Sequence, residues 1–157
     1  MIRAHKYLDG SQTRGFMTER DYKEFFDDAP LALLRTDLKT GSILMANKFA
    51  ATLLGCESVD ELLTKNALDF YPEITRNKLV RRLKKSGEIH DQEIQMQANG
   101  KPIWVRANLR INCGGTCIEC FLLDITEMVG LREHELTKAK ILSERIDCKM
   151  ASSRSEC

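Results

Sequence analysis

No apolar run in this sequence approaches the roughly 20 residues that a membrane-spanning helix needs. The N-terminal stretch Met1 to Phe16 is polar and lacks the apolar core of a secretory signal. The expectation is a cytoplasmic chain whose six cysteines stay mostly reduced, not a disulfide framework. The formal net charge is only +1, so no bulk field draws nucleic acid or an anionic membrane. There is no phosphate loop, no nucleophile beside a base and no paired carboxylates in a catalytic context, so the chain carries no enzyme signature. Internal repeats and low-complexity tracts are absent too. What is present is ordinary for a soluble globular protein: 43% hydrophobic and 30% charged residues in 157, enough for one core with two short flanks.

Residues 1–17 carry Gly10, Ser11, Gly15 and scattered charges without a period, and are expected to be a partly disordered leader. Thr18, with Asp21 three residues on, opens a short helix with Tyr22, Phe25 and Phe26 on one face; Ala29-Pro30 ends it. Two short strands follow, Leu31 to Asp37 and Ser42 to Ala46, turned at Gly41. Asn47 caps a short helix that Gly55 stops, and Ser58 with Glu61 caps the next. Pro72 suits the first position of a helix ending near Ser86, with Ile74, Leu79, Val80 and Leu83 as its apolar stripe. Arg76, Lys78, Arg81, Arg82, Lys84 and Lys85 fill the remainder, which reads as a solvated basic face.

After Gly87 the period changes to two. Ile94 and Met96 alternate with Glu93, Gln95 and Gln97. Asn99-Gly100 is a hairpin turn, and Val105, Ala107, Leu109 and Ile111 alternate with Trp104, Arg106, Asn108 and Arg110. Gly114-Gly115-Thr116 turns the chain into a last strand, Cys117 to Asp124. Ile125 to about Ile146 reads as a helix with a partial heptad seam of Ile125, Val129, Leu136, Ala139 and Ile146, interrupted by Arg132 and Ser143; the tail from Asp147 has no pattern. The fold class is α+β: a five-stranded antiparallel sheet with short helices on one face, flanked by an N-terminal helix and a C-terminal amphipathic helix.

Four segments in order, spanning Tyr22 to Thr126, resemble the PAS family of sensory domains. They are FFDDAPLALLRTD, GSILMANKFAATLLG with Asn47 at the usual asparagine, NGKPIWVRANLRI with Trp104 at the usual tryptophan, and CIECFLLDITE with its closing Asp124, Ile125 and Thr126. The resemblance implies a sensory domain over residues 18–126, with residues 127–157 as a signalling or coiled-coil helix and tail. It further implies a small cavity between sheet and helices, a signal leaving through Trp104, Asp124, Ile125 and Thr126, and homodimerisation through the flanking helices. The helix at this corner needs a cap whether or not it signals.

Strand alternation puts Leu34, Thr36, Val105, Ala107, Leu109, Ile118, Cys120 and Leu122 inward, with Phe70 and Tyr71 closing the space from the helical side. These ten are the candidate ligand contacts, Thr36 being the polar one on the first strand; they equally suit a filled core. Cys113, Cys117 and Cys120 form a C-x3-C-x2-C spacing that also occurs in iron–sulfur sites. It straddles a hairpin, which brings Cys113 and Cys117 near enough for a disulfide or a shared metal such as zinc. Cys117 and Cys120 point to opposite faces, which works against three ligands on one ion. Haem-binding relatives place a histidine on the long helix, and Pro72 to Ser86 has none. Flavin photoreceptor relatives carry an Asn-Cys-Arg motif that Cys56 lacks. Haem and flavin are therefore disfavoured; the cofactor stays open, between none and an iron–sulfur or zinc site at the cysteines.

The leading functional reading is a sensory or interaction module of bacterial-type signalling, as in a histidine kinase or a cyclic-dinucleotide enzyme. Its output domain would be elsewhere in the protein or on a partner. A redox or metal sensor built on the three cysteines, and a dimerisation module with no ligand, are the alternatives.

Overall fold

The computed structural model describes residues 18–154; the leader expected over residues 1–17 lies outside them. Helix α1 (Glu19–Asp28) starts in a closed capping box: Asp21 N donates to Thr18 Oγ1 at 3.2 Å, and Thr18 N donates to Asp21 Oδ2 at 2.6 Å. Aspartate thus serves where a longer acid is usual. The aromatic face of α1 turns outward, with Tyr22 and Phe25 exposed and no residue of the helix buried.

The sheet strands are β1 (Ala32–Asp37), β2 (Ile43–Ala46), β3 (Glu88–Ala98), β4 (Lys101–Asn112) and β5 (Cys117–Asp124). Their spatial order is β2-β1-β5-β4-β3, with every neighbouring pair antiparallel. The first and last strands in the chain, β1 and β5, thus pair with each other at the centre of the sheet. One sheet therefore unites residues 32–46 and 88–124. Between β2 and β3 run α2 (Lys48–Leu53), α3 (Val59–Leu63), a 3-10 turn (Ala67–Asp69) and α4 (Glu73–Ser86). They cover one face of the sheet and enclose the core, where Leu54, Leu62, Leu83 and Val105 are almost wholly buried. No helix among the described residues is long and apolar enough to cross a membrane.

Asn47 holds this arrangement together. Its carboxamide oxygen accepts from Ala50 N (2.9 Å) as the cap of α2, and also from Leu33 N in β1 (3.1 Å). Its amide nitrogen donates to the carbonyls of Leu31 (2.8 Å) and Phe26 (3.1 Å). The side chain is fully buried, so one residue ties α1, β1 and α2.

Several sequence expectations need correction around α4 and the last helix. Pro72 is the residue before α4, extended at φ −62°, ψ 149°, not its first helical position. Ile74 faces solvent rather than the core. Arg76, expected on the solvated basic face, is buried, because its Nη2 donates to the carbonyls of Asp37 (2.9 Å) and Leu38 (3.1 Å) at the end of β1. Gly41 is shaped to that side chain. A Cβ there would stand 2.7 Å from Arg76 Nε, and its φ of +78° suits glycine alone. The final helix, α5 (Thr126–Ser153), begins after Ile125 and runs through residues expected to form a patternless tail.

On the outward face of the sheet, Glu119 accepts from Arg110 Nη2 (2.6 Å), Arg35 Nη2 (2.8 Å) and Asn112 Nδ2 (2.8 Å). Hydrogen bonds from Arg110 and Arg35 hold its carboxyl down at about 2, against an ordinary 4.5. A carboxyl depressed in the folded state stabilises fully above its unfolded value and stops doing so as pH falls through its folded one. Stability is therefore expected to decline between about pH 4.5 and pH 2. Glu119→Gln should cost about 1–2 kcal/mol near neutral pH, discounted for solvent screening. It should also flatten the acid limb in that window, checked by urea midpoints at stepped pH.

Candidate functional site

The period-two alternation of β1, β4 and β5 brings one set of side chains to the concave face. In β1, Ala32, Leu34 and Thr36 are buried while Leu33, Arg35 and Asp37 are half-exposed. Register then sets the neighbours: Leu34 lies opposite Cys120, Thr36 opposite Ile118, and Leu122 opposite both Ala32 and Ala107.

Where α4 and the 3-10 turn lie over these strands, a cavity of about 30 Å³ remains. One water needs about 10–15 Å³ of such space, so the volume matches two or three waters. Leu34, Thr36, Phe70, Tyr71, Leu109, Cys120 and Leu122 line it, all of them among the candidate ligand contacts. Val105, Ala107 and Ile118, the other three candidates, are buried in the sheet but lie outside the lining. The rest of the wall is Ile43, Leu54, Ala67, Leu79, Ile94 and Met96. The apolar stripe of α4 and the alternation of β3 already flagged Leu79, Ile94 and Met96. Ile43, Leu54 and Ala67 carry no signal beyond being apolar.

The polar edge of the cavity is Thr36, Tyr71 and Cys120. Burial pushes the Cys120 thiol up to about 12, with the Thr36 hydroxyl beside it working the other way. Burial likewise raises the Tyr71 phenol to about 12; the Cys120 sulfur adds to this and Arg76 opposes it. At neutral pH the lining is therefore uncharged. It suits an apolar body with one hydrogen-bonding group aimed at this edge, and it disfavours a bare ion.

Strand β5 runs from this cavity directly into the expected output corner. Ile125 N donates to Trp104 O at 2.8 Å, and Trp104 N donates to Thr126 Oγ1 at 2.9 Å. The Thr126 hydroxyl and backbone N–H both donate to Asp124 Oδ1, at 2.6 and 2.9 Å. Trp104, Asp124, Ile125 and Thr126 thus form one bonded junction, with Ile125 and Val129 buried beneath it. Arg132 of α5 then reaches Glu93 at 3.1 Å, on the outward side of β3. The helix consequently leaves the convex side and does not fill the concave one. Beyond this contact Leu136, Leu142, Ile146 and Met150 are exposed.

Among the described residues Cys56, Cys120 and Cys148 are free, as expected, and one pair departs from the reduced state. Cys113 and Cys117 are joined in a disulfide, with Cα atoms 5.6 Å apart, because the tight turn folds one onto the other. Cys120 is free, and its side chain lies on the cavity side of β5. The three sulfurs accordingly do not converge on one ion, and among the described residues no group of three or more His, Cys, Asp or Glu side chains is placed to hold a metal.

Comparison with known proteins places these features. A family model described as PAS domain matches residues 30–127. Among solved structures, a PAS domain from a two-component sensor histidine kinase is similar at a TM-score of 0.58 and 12% identity, covering 67% of this chain and 94% of that one. The PAS domain of nitrogen regulation protein NR(II) from Vibrio parahaemolyticus gives 0.55 at 15% identity, over 66% and 97%. An RNA-binding light-oxygen-voltage receptor gives 0.61 at 19% identity, over 88% of this chain and 42% of that one. At these identities the likeness shows the fold alone. No curated protein matches the sequence.

Proposed function

Since the chain belongs to the PAS domain family, we propose that it is a sensory module without catalytic activity of its own. Its concave cavity takes a small, mostly apolar molecule, and the corner at Asp124–Thr126 passes the change along α5 to an output domain or partner. The observation that carries this reading is the continuity of β5. Cys120 and Leu122 line the cavity, and Asp124 in the same strand holds Thr126 at the start of α5.

A cavity of about 30 Å³ does not admit a metabolite without movement. The wall that can give is the helical one, where the short 3-10 turn supplies Ala67 and Phe70 follows it. Ligand entry therefore selects a wider arrangement of that wall over the packed one, and the signal is this difference in population. Pairing of two copies through the flanking helices fits the exposed Tyr22 and Phe25 on α1 and Leu136, Leu142, Ile146 and Met150 on α5.

Native mass spectrometry of freshly purified protein tests the reading, because it reports bound mass and oligomeric state together. A dimer carrying a small-molecule adduct is expected, with the adduct reduced in Thr36→Val, which removes a hydroxyl at nearly constant volume. The bare chain mass, together with no thermal shift from any member of a panel of small apolar acids, alcohols and lactones, would overturn it.

A further inference from the structure

The disulfide is not needed to close the sheet, since β4 and β5 are paired along eight residues from Val105–Asp124 to Asn112–Cys117. Its two sulfurs belong to very different surroundings: Cys113 is exposed, whereas Cys117 is 1% exposed. Between them the backbone passes through three successive left-handed residues, Cys113 (φ 55°), Gly114 (φ 64°) and Gly115 (φ 90°). A cysteine rarely adopts that region unaided. Asn112 Oδ1 accepting from Cys113 N (2.8 Å), Thr116 Oγ1 donating to Cys113 O (2.8 Å) and the disulfide itself hold it there.

This turn is also a junction. Thr116 O accepts from Leu38 N at 2.9 Å, tying the β4–β5 turn to the end of β1. The Leu38 carbonyl in turn receives Arg76 of α4. Cys117 pairs with Asp37 on one side and Asn112 on the other, so the bond sits where three strands meet.

We propose that the Cys113–Cys117 disulfide is a reversible thiol-exchange site, entered at Cys113 by an external dithiol, whose reduction loosens the β4–β5 turn and its tie to Leu38. One thiolate of the dithiol attacks Cys113 Sγ, the Cys113–Cys117 bond breaks, and Cys117 leaves as a thiolate that takes up a proton. The second thiolate of the dithiol then attacks the mixed disulfide and releases Cys113. The reductant closes to its own disulfide, and two electrons have passed to the protein. An oxidised dithiol reverses both steps. The access is one-sided because only the Cys113 sulfur lies on an exposed residue, and a thiolate must reach the sulfur it attacks. The exchange requires no ligand in the cavity.

The test uses the intact chain equilibrated in buffers of reduced and oxidised dithiothreitol, then alkylated and mapped by mass spectrometry, with amide hydrogen exchange on the same samples. The bond is expected to open and re-form while the protein stays folded. After reduction Cys113 should alkylate at least about tenfold faster than Cys117, and the Leu38 and Thr116 amides should exchange several-fold faster than in the oxidised protein. Cys113→Ser, which cannot form the bond, should show the fast exchange in either buffer; if that variant does not fold, the reduced wild type supplies the same comparison. Three results would each overturn the proposal. They are failure of the bond to form under oxidised dithiothreitol, resistance to reduction until the chain unfolds, and unchanged Leu38 exchange after clean reduction.

Discussion

Replacing Asn47 with alanine is expected to lower folding stability by about 3 kcal/mol, close to what a small domain can lose and still fold. Loss of the α2 cap alone accounts for about 1 kcal/mol. The remainder comes from Leu33 N and the Leu31 and Phe26 carbonyls, which lose their partner at a fully buried side chain. Asn47→Asp separates the bonds that the side chain accepts from those that it donates. Aspartate keeps the acceptor that caps α2, but it sets a carboxylate against two carbonyl oxygens that formerly received an N–H. It should therefore be at least as destabilising as alanine near neutral pH, although aspartate is as good an N-cap as asparagine on an isolated helix. The gap should narrow on acidification, when the protonated carboxyl can donate to one carbonyl. Urea midpoints of the three proteins across pH check this; an aspartate variant as stable as wild type would show that the bonds accepted from Ala50 N and Leu33 N are the whole of the effect.

The second large effect is expected at Leu122, which is buried and lines the cavity. Leu122→Ala should cost about 2–4 kcal/mol, through lost apolar burial and the enlarged void. The void joins a space that is already present, so the neighbours are poorly placed to collapse into it. An apolar space opened by truncating a buried leucine is the kind that binds benzene. Benzene should accordingly raise the thermal midpoint of Leu122→Ala and leave that of the wild type almost unchanged. A cost below about 1 kcal/mol with no benzene effect would mean that the helical wall relaxes to fill the site.

The strands and the corner could be read from the sequence because they rest on local signals. Alternation in β4, Asn99-Gly100 between β3 and β4, and Asp124 with Thr126 at the end of β5 are each visible within a few residues. Asn47 was legible as a cap, since a cap is local, but its bonds to Leu33, Leu31 and Phe26 join segments that only the fold brings together. Arg76 was misread for the same reason. Its acceptors are carbonyls at the end of β1, nearly forty residues away, and a carbonyl leaves no trace in the residue type. The disulfide was legible as a permitted geometry and not as a state, because the spacing of Cys113 and Cys117 allows a bond or two thiols equally. The inward residues could be listed from alternation, but not divided into those that meet the cavity and those that meet each other. That division depends on where α4 and the 3-10 turn lie over the sheet. Val105, Ala107 and Ile118 fell on the second side of it.

Amide hydrogen exchange on Leu122→Ala, with and without benzene, measures the link between cavity and corner directly. Filling the site is expected to change exchange at Ile125, Thr126 and Val129, whose N–H groups donate to Trp104 O, Asp124 Oδ1 and Ile125 O, by about threefold or more. If benzene raises the thermal midpoint yet leaves those three amides as they were, occupancy does not reach the start of α5, and the module does not signal by this route.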